Sequence, residues 1–271
     1  MTRHLMGVSL MEGSLTKRMA NYLPEFPALD SGLRLGRSVK DGYTRGWGVQ
    51  FGTLRDDVRA DPLYQKASRL ARGRSVVSED NRINLYLICR FFLDHLEPAH
   101  IVEFGAYKGG NALFMACVAA ELHPSTRVYA LDTYAGIPDA DPSIDAHSAG
   151  DFGDVDLSEL RDYADKSGMS NIEFIQGRFD ETATALLSRI GKVSLAHIDS
   201  DTYASVAFAY DVVRPHMVDG GYLVFDDATV SSCLGATEAV ETLLIKRDGL
   251  NSEQIWPHFV FRAFQTKDQT R

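Results

Sequence analysis

The segment HIVEFGAYKGG, residues 100–110, decides the fold of this chain. Its first five residues are a short apolar run typical of a buried strand, and its glycines predict a tight turn. Residues 111–122 then have the length and apolar content of a buried helix. A strand followed directly by a turn and a helix is the unit from which parallel α/β sheets are built.

The same alternation continues on both sides of this segment. It predicts a Rossmann-like, mostly parallel, doubly wound sheet, and the alternating run 258–264 predicts an antiparallel edge strand. We therefore predict a catalytic domain over residues 76–271 and an N-terminal extension over residues 1–75, in which segment 40–48 is either a lid or a packed surface loop. The predicted strands are 100–104, 127–132, 172–176, 193–199, 221–226 and 258–264, and the predicted helices are 78–98, 111–122, 156–167, 181–190, 204–217 and 235–247.

Composition narrows the class of protein. The chain has 271 residues, 45% of them hydrophobic, and a net charge of −9. Such a composition argues against disorder, and the negative charge disfavours a general nucleic-acid binder. The three cysteines show no CxxC spacing, which argues against a zinc cluster or a disulfide framework. No apolar run has the length of a membrane span or a secretion signal, so we expect a soluble, cytoplasmic protein.

Acidic or glycine-rich residues lie at or just past the ends of five successive predicted strands. In open parallel sheets, ligands bind beyond the carboxyl ends of the strands, so these residues are candidates for one binding rim. They are Glu103 with Gly105, Asp132, Gln176 with Gly177, Asp199, and Asp226 with Asp227.

Asp132 ends the second predicted strand, about where an acidic residue binds ribose hydroxyls in dinucleotide folds. The spacing that binds pyrophosphate is missing, and Glu103 would repel a phosphate. S-adenosylmethionine, a cationic nucleoside without phosphate, therefore fits better than NAD. Tyr107, Gly109 and Thr133, in the turns after the first two strands, complete the predicted cofactor contacts. Two alternatives stay open: such a turn occurs in any α/β protein, and Asp132 could simply cap a helix or turn.

Three aspartates lie at the ends of two neighbouring predicted strands, Asp199 at the end of one and Asp226 with Asp227 at the end of the next. Adjacent strands lie about 4.8 Å apart, so these side chains can converge. Crowded carboxylates need a cation or protons, and oxygen ligands favour Mg²⁺ or a similar divalent ion. Such an ion binds a substrate hydroxyl and lowers its pKa. The alternative is that the aspartates cap helices or turns.

Two histidines are further candidates. His197 lies inside an apolar strand, which favours a packed core residue over a functional one. His147 lies in the polar insert 136–154, which follows the second strand and can fold over the substrate side. We consider a catalytic role for His147 beside the alternative of a solvated loop residue.

Several sequence blocks together resemble the macrocin O-methyltransferase (TylF-like) family. They are EFGAYKGG from residue 103, ALDTYAGIPD from 130, GDF from 150, QGRFDET from 176, AHIDSDTYASV from 196, PHMVDGGYLVFDD from 215 and CLGATEAV from 233. The resemblance covers residues 78–264. It implies a class I methyltransferase fold, binding of S-adenosylmethionine, and methylation of sugar hydroxyls in antibiotic biosynthesis. It also implies a homo-oligomer.

The resemblance implies roles for individual residues as well. Asp199, Asp226 and Asp227 match the family's Mg²⁺ ligands, and Asp199 also matches its proposed general base. The implied S-adenosylmethionine contacts are Glu103, Gly105, Asp132, Asp199, and Gly177 with Arg178 near the adenine. Catechol-type methyltransferases have a lysine shortly after the first aspartate, but Ser200 and Asp201 stand here, which disfavours a lysine base.

The sequence thus predicts an O-methyltransferase acting on a small glycosylated acceptor, with Asp199 as base and His147 assisting. Two alternatives keep the fold but change the function. One is a related S-adenosylmethionine-binding protein that takes part in hydroxylation or methoxylation of its substrate. The other is a catalytically silent methyltransferase fold that serves as a partner subunit.

Overall fold

Six strands form one sheet in the order β3-β2-β1-β4-β5-β6 in a computed structural model that describes residues 53–230 and 232–264. The first five strands run parallel, and β6 runs antiparallel to β5 at the edge. This confirms the predicted mostly parallel α/β sheet with an antiparallel edge strand. The strands are β1 (His100–Phe104), β2 (Val128–Asp132), β3 (Ile172–Gln176), β4 (Val193–Ile198), β5 (Met217–Phe225) and β6 (Phe259–Ala263).

Helices connect the parallel strands. Ser78 caps α3 by accepting a hydrogen bond from the Asn81 amide at 3.1 Å, as its position before an acidic first turn predicts. The helices are α1 (Leu54–Ala60), α2 (Pro62–Ala71), α3 (Glu79–Phe91), α4 (Gly110–Leu122), α5 (Leu157–Lys166), α6 (Phe179–Ile190), α7 (Tyr203–Val213) and α8 (Leu234–Ala239). A π-helix, Val240–Arg247, continues α8.

The helix predicted over 78–98 is shorter in the structure, because α3 ends at Phe91 and a 3-10 helix, Leu93–His95, follows it. Two further boundaries differ from the prediction. The predicted helix 204–217 ends earlier, because α7 stops at Val213, a short 3-10 helix follows, and β5 already begins at Met217. The predicted helix 235–247 changes from α to π geometry at Val240. Neither change moves the carboxyl ends of the strands.

The chain divides into two units between Gln65 and Lys66. Helix α1 belongs to the first unit, and the whole sheet belongs to the second. The predicted lid segment, residues 40–48, lies outside the described residues. Within the part of the chain that the structure describes, no helix is long and apolar enough to cross a membrane.

Strand register aligns the residues that follow β1, β4 and β5. Phe104 pairs with Ile198, and Ile198 pairs with Phe225. The Asp199 amide donates to the Phe104 carbonyl at 2.9 Å, and the Asp226 amide donates to the Ile198 carbonyl at 3.0 Å. The sheet therefore brings the predicted acidic residues to one edge.

Candidate active site

A cavity of about 690 Å³ lies at the carboxyl ends of the strands. Its size falls within the roughly 300–1,000 Å³ typical of small-molecule sites. Of the predicted site residues, nine line it: Gly105, Tyr107, Asp132, Thr133, His147, Arg178, Asp199, Asp226 and Asp227. Their convergence is what the predicted rim requires.

Asp199, Asp226 and Asp227 form a three-carboxylate cluster beside the cavity. One oxygen from each lies within 4.8 Å of the others. Burial, together with the charges of Asp226 and Asp227, raises the pKa of Asp199 well above its ordinary value. Burial and the charges of Asp201 and Asp226 raise the pKa of Asp227 to about 8. Three neighbouring carboxylates repel one another, and a hard divalent cation that binds their oxygens would relieve this repulsion.

Asp226 differs from its neighbours in this cluster. Burial alone would raise its pKa, but hydrogen bonds from His197 and His258 outweigh burial and hold the pKa well below its usual range. The side chain of Asp226 makes no capping bond to the short helix that follows, Asp227–Thr229. The alternative prediction, that this carboxylate serves as a helix cap, therefore does not account for its position.

Asp132 sits at the end of β2 with its carboxylate fixed by backbone amides. Its Oδ2 accepts from the Tyr107 amide at 2.8 Å, and its Oδ1 accepts from the Tyr134 amide at 2.6 Å. Burial raises the pKa of this carboxyl against the effect of these bonds. Asp132 thus stabilises the turn after β1, and it also lines the cavity.

The backbone conformation and packing at residue 105 require a glycine. Its φ is +90°, and a Cβ placed there would lie 1.6 Å from the backbone oxygen of Asp199. A glycine is therefore needed at residue 105 because β1 and β4 approach closely there. Gly105 also lines the cavity.

Three predicted cofactor contacts do not line the cavity. Glu103 is fully buried, where its Oε1 accepts from Asn111 at 2.6 Å and lies 3.0 Å from a ring nitrogen of His197. Gly109 precedes α4 with a φ of +71°, and Gly177 lies in the turn after β3 with a φ of +140°. Glu103 thus belongs to the buried part of β1, and the two glycines allow the left-handed backbone of their turns.

The insert 136–154 lies along the cavity, as predicted. Tyr107 donates its hydroxyl to Asp154 at 2.7 Å, and Arg178 binds Asp139 at 2.7 Å. His147 lines the cavity with its Nε2 3.5 Å from Asp201. The structure therefore places His147 beside the residues that follow β4.

Sequence reasoning missed two residues of the site. Asn81 in α3 and His258, just before β6, both bind the Asp226 carboxylate at 2.8 Å. Neither belongs to a local motif. His197 was expected to be a packed core residue. It is fully buried, but it bridges Glu103 and Asp226.

Two solved methyltransferase structures have a similar fold. The O-methyltransferase NovP is similar with a TM-score of 0.55 and 18% identity, covering 80% of this chain and 82% of NovP. The calicheamicin methyltransferase CalS11 is similar with a TM-score of 0.53 and 20% identity, covering 77% of this chain and 96% of CalS11. The fold is thus the Rossmann-like fold of class I methyltransferases.

The family model described as macrocin O-methyltransferase (TylF) matches residues 85–246, and this chain belongs to that family. A curated relative is the 8-demethyl-8-(2,3-dimethoxy-alpha-L-rhamnosyl)-tetracenomycin-C 4'-O-methyltransferase of Streptomyces olivaceus. It is 26% identical over 149 residues, covering 51% of this chain. The match spans 56% of that relative's length.

Proposed function

We propose that this chain transfers a methyl group from S-adenosylmethionine to a hydroxyl on a sugar of a glycosylated natural product, assisted by Mg²⁺ or another divalent cation. The observation that carries the proposal is the convergence of Asp199, Asp226 and Asp227 in the same cavity as Asp132.

The charge of the cavity supports S-adenosylmethionine as the methyl donor. Eight aspartates line it, whereas Arg178 is its one lining arginine among the described residues, and Arg178 pairs with Asp139 and Asp180. Such a lining repels phosphate and attracts a sulfonium and an amino group. When bound, S-adenosylmethionine supplies a methyl group activated by its positive sulfur. Asp132 would accept hydrogen bonds from the ribose hydroxyls.

The three-carboxylate cluster fits a divalent cation, because it combines oxygen ligands with unfavourable mutual repulsion. Asp199, Asp226 and Asp227 would hold the ion. When bound, a divalent cation lowers the pKa of a substrate hydroxyl and fixes its orientation.

Asp199 is the proposed general base. It lines the cavity at the end of β4, within 4.8 Å of the other two carboxylates, where an acceptor hydroxyl bound beside the cation would lie within its reach. His147 lines the same cavity and is proposed to assist by contacting the acceptor. Methyl transfer requires the hydroxyl oxygen in line with the methyl–sulfur bond, so these residues act mainly by positioning.

The relative from Streptomyces olivaceus supports a sugar acceptor, since its name describes methylation of a rhamnosylated tetracenomycin. We propose a homo-oligomeric assembly as well, which sedimentation of the full chain would test.

The test of function uses purified protein and its Asp132→Ala variant, with Asp162→Asn as a control because Asp162 is exposed on α5. We expect calorimetry to show S-adenosylmethionine binding to the wild type and to the control but not to Asp132→Ala. With a rhamnosylated tetracenomycin as the acceptor, mass spectrometry should show that the product has gained one methylene, and EDTA should abolish this gain. Full activity in EDTA, or after Asp226→Asn with Asp227→Asn, would refute the role of the metal.

Product mass also separates the alternatives. A gain of one oxygen would indicate hydroxylation. Failure of the wild type to bind S-adenosylmethionine would favour a silent partner subunit.

A further inference from the structure

A buried polar network lies behind the three-carboxylate cluster. Glu103, His197 and His258 are all fully buried, and Asp226 is 7% exposed. Buried polar groups cost free energy unless they are hydrogen-bonded, and these side chains meet that cost by hydrogen-bonding one another.

Three side chains converge on a single oxygen of Asp226. Its Oδ1 lies 2.8 Å from Nδ2 of Asn81, 2.8 Å from Nε2 of His258 and 3.3 Å from Nε2 of His197. These contacts saturate Oδ1. They leave Oδ2 as the oxygen with free lone pairs for a cation.

Neighbouring groups determine which ring nitrogens donate. Asn84 donates from its amide nitrogen to Nδ1 of His258 at 3.1 Å, so the proton of His258 is on Nε2 and points to Asp226. His197 contacts a carboxylate at each end, with Nδ1 3.0 Å from Glu103 and Nε2 3.3 Å from Asp226, so both of its nitrogens donate. The contacts at Nδ1 therefore fix the ring orientation of each histidine, with Asn84 contacting His258 and Glu103 contacting His197.

We propose that His258, together with His197 and Asn81, is a positioning residue for the cation: the three donors bind Oδ1 of Asp226 and so present its Oδ2 to the ion. The inference rests on the proposed function, because it takes the three-carboxylate cluster to be a cation site. Outer groups that orient a metal ligand typically change metal affinity 10–100-fold when they are removed.

Two of the three donors lie outside the stretch that the family model matches. The match covers residues 85–246, whereas Asn81 precedes it and His258 follows it. Helix α3 and the segment before β6 thus contribute to a site whose cation ligands all follow the parallel strands β4 and β5.

The test measures cation affinity separately from cofactor affinity. Mn²⁺ binding is followed by electron paramagnetic resonance, and S-adenosylmethionine binding is followed by calorimetry without added metal. The variants are His258→Leu, which removes the donor, and His258→Gln, which keeps an amide donor. The control is His95→Leu, at a histidine that is exposed and lies outside the cavity.

We expect His258→Leu to weaken Mn²⁺ binding by about 10–100-fold, with S-adenosylmethionine affinity unchanged. His258→Gln should restore part of the Mn²⁺ affinity, which a purely structural role would not predict, and His95→Leu should match the wild type. Asn81→Ala provides an independent variant if His258→Leu does not fold, and we expect a loss of about tenfold.

Two results would overturn the inference in different ways. If the wild type and the folded donor variants bind Mn²⁺ equally well, the positioning role is wrong while the cation site stands. If the wild type binds S-adenosylmethionine but no Mn²⁺, the cation site itself is wrong, and the positioning role with it.

Discussion

Asp226 and Asp227 are adjacent in sequence, yet their surroundings move their pKa values in opposite directions. Hydrogen bonds from two histidines outweigh burial and lower the pKa of Asp226, whereas burial and neighbouring carboxylates raise the pKa of Asp227 to about 8. Without a cation, Asp227 therefore carries a proton at neutral pH that it lacks in the unfolded chain. Folding takes up that proton, so this residue destabilises the metal-free protein increasingly as pH rises from about 4 to about 8.

Replacing Asp227 by asparagine should stabilise the metal-free protein. The amide mimics the protonated carboxyl and removes the cost of proton uptake, and a difference of one in pKa corresponds to about 1.4 kcal/mol. We expect Asp227→Asn to raise the free energy of unfolding in EDTA at pH 7.5 by at least about 1 kcal/mol, and to flatten its decline between pH 5 and 8. Urea unfolding with and without Mn²⁺ measures both effects. Equal pH slopes for the variant and the wild type would contradict the raised pKa.

The sequence revealed residues of the site only where a local pattern marked them. Asp132, Asp199, Asp226 and Asp227 each follow an apolar run, so their position at a strand end could be predicted. His258 could not be predicted, since its partner Asp226 is far away in sequence and only the folded sheet joins them.

The strand pair β1–β4 shows how closely elements approach at this site. Gly105 follows β1 with a φ of +90°, and the Asp199 carbonyl lies where a Cβ would be. Any side chain at residue 105 must therefore push apart the two strands that position Asp199.

Gly105→Ala should be far more damaging than an alanine at another left-handed glycine. Gly73, with a φ of +72° and nothing within 4 Å of an added Cβ, is the matched control. We expect Gly73→Ala to cost roughly 1–2 kcal/mol from backbone strain alone. Gly105→Ala should exceed the roughly 1–3 kcal/mol of ordinary overpacking, or prevent folding. Thermal unfolding of the two variants gives the comparison, and similar melting temperatures would show that the strands separate easily.

Secondary structure was predictable where a continuous apolar run or a regular apolar spacing marked a whole element. The strands and most helices have such a pattern, whereas the π-helix Val240–Arg247 does not differ enough from an α-helix in its apolar spacing to be recognised. The early start of β5 was missed because Pro215 and the glycines at 220 and 221 indicate a break before the strand.

The whole molecule is acidic, and its cavity shares that character. The net charge is −9, and eight aspartates line the cavity. S-adenosylmethionine carries one more positive charge than its product S-adenosylhomocysteine, so the field of the protein distinguishes the two.

Affinity for S-adenosylmethionine should therefore depend on salt more than affinity for S-adenosylhomocysteine does. Between about 0.01 M and about 1 M ionic strength the Debye length falls from roughly 30 Å to roughly 3 Å, which screens attraction by the more distant aspartates. We expect the dissociation constant of S-adenosylmethionine to rise several-fold over this range, and that of S-adenosylhomocysteine to change less. Calorimetric titrations of both ligands test this. Parallel salt dependences would show that the acidic lining does not recognise the sulfonium charge.

The placement of Asn81 and His258 has a consequence for protein engineering. A chimera that grafts residues 85–246 of this chain into a relative would transfer all three carboxylates but leave behind two of the donors to Asp226. Such a graft would keep the proposed cation ligands and lose two of the side chains that hydrogen-bond Asp226. The boundaries of a graft from this chain should therefore lie before α3 and after β6, so that Asn81 and His258 are transferred together with the sheet.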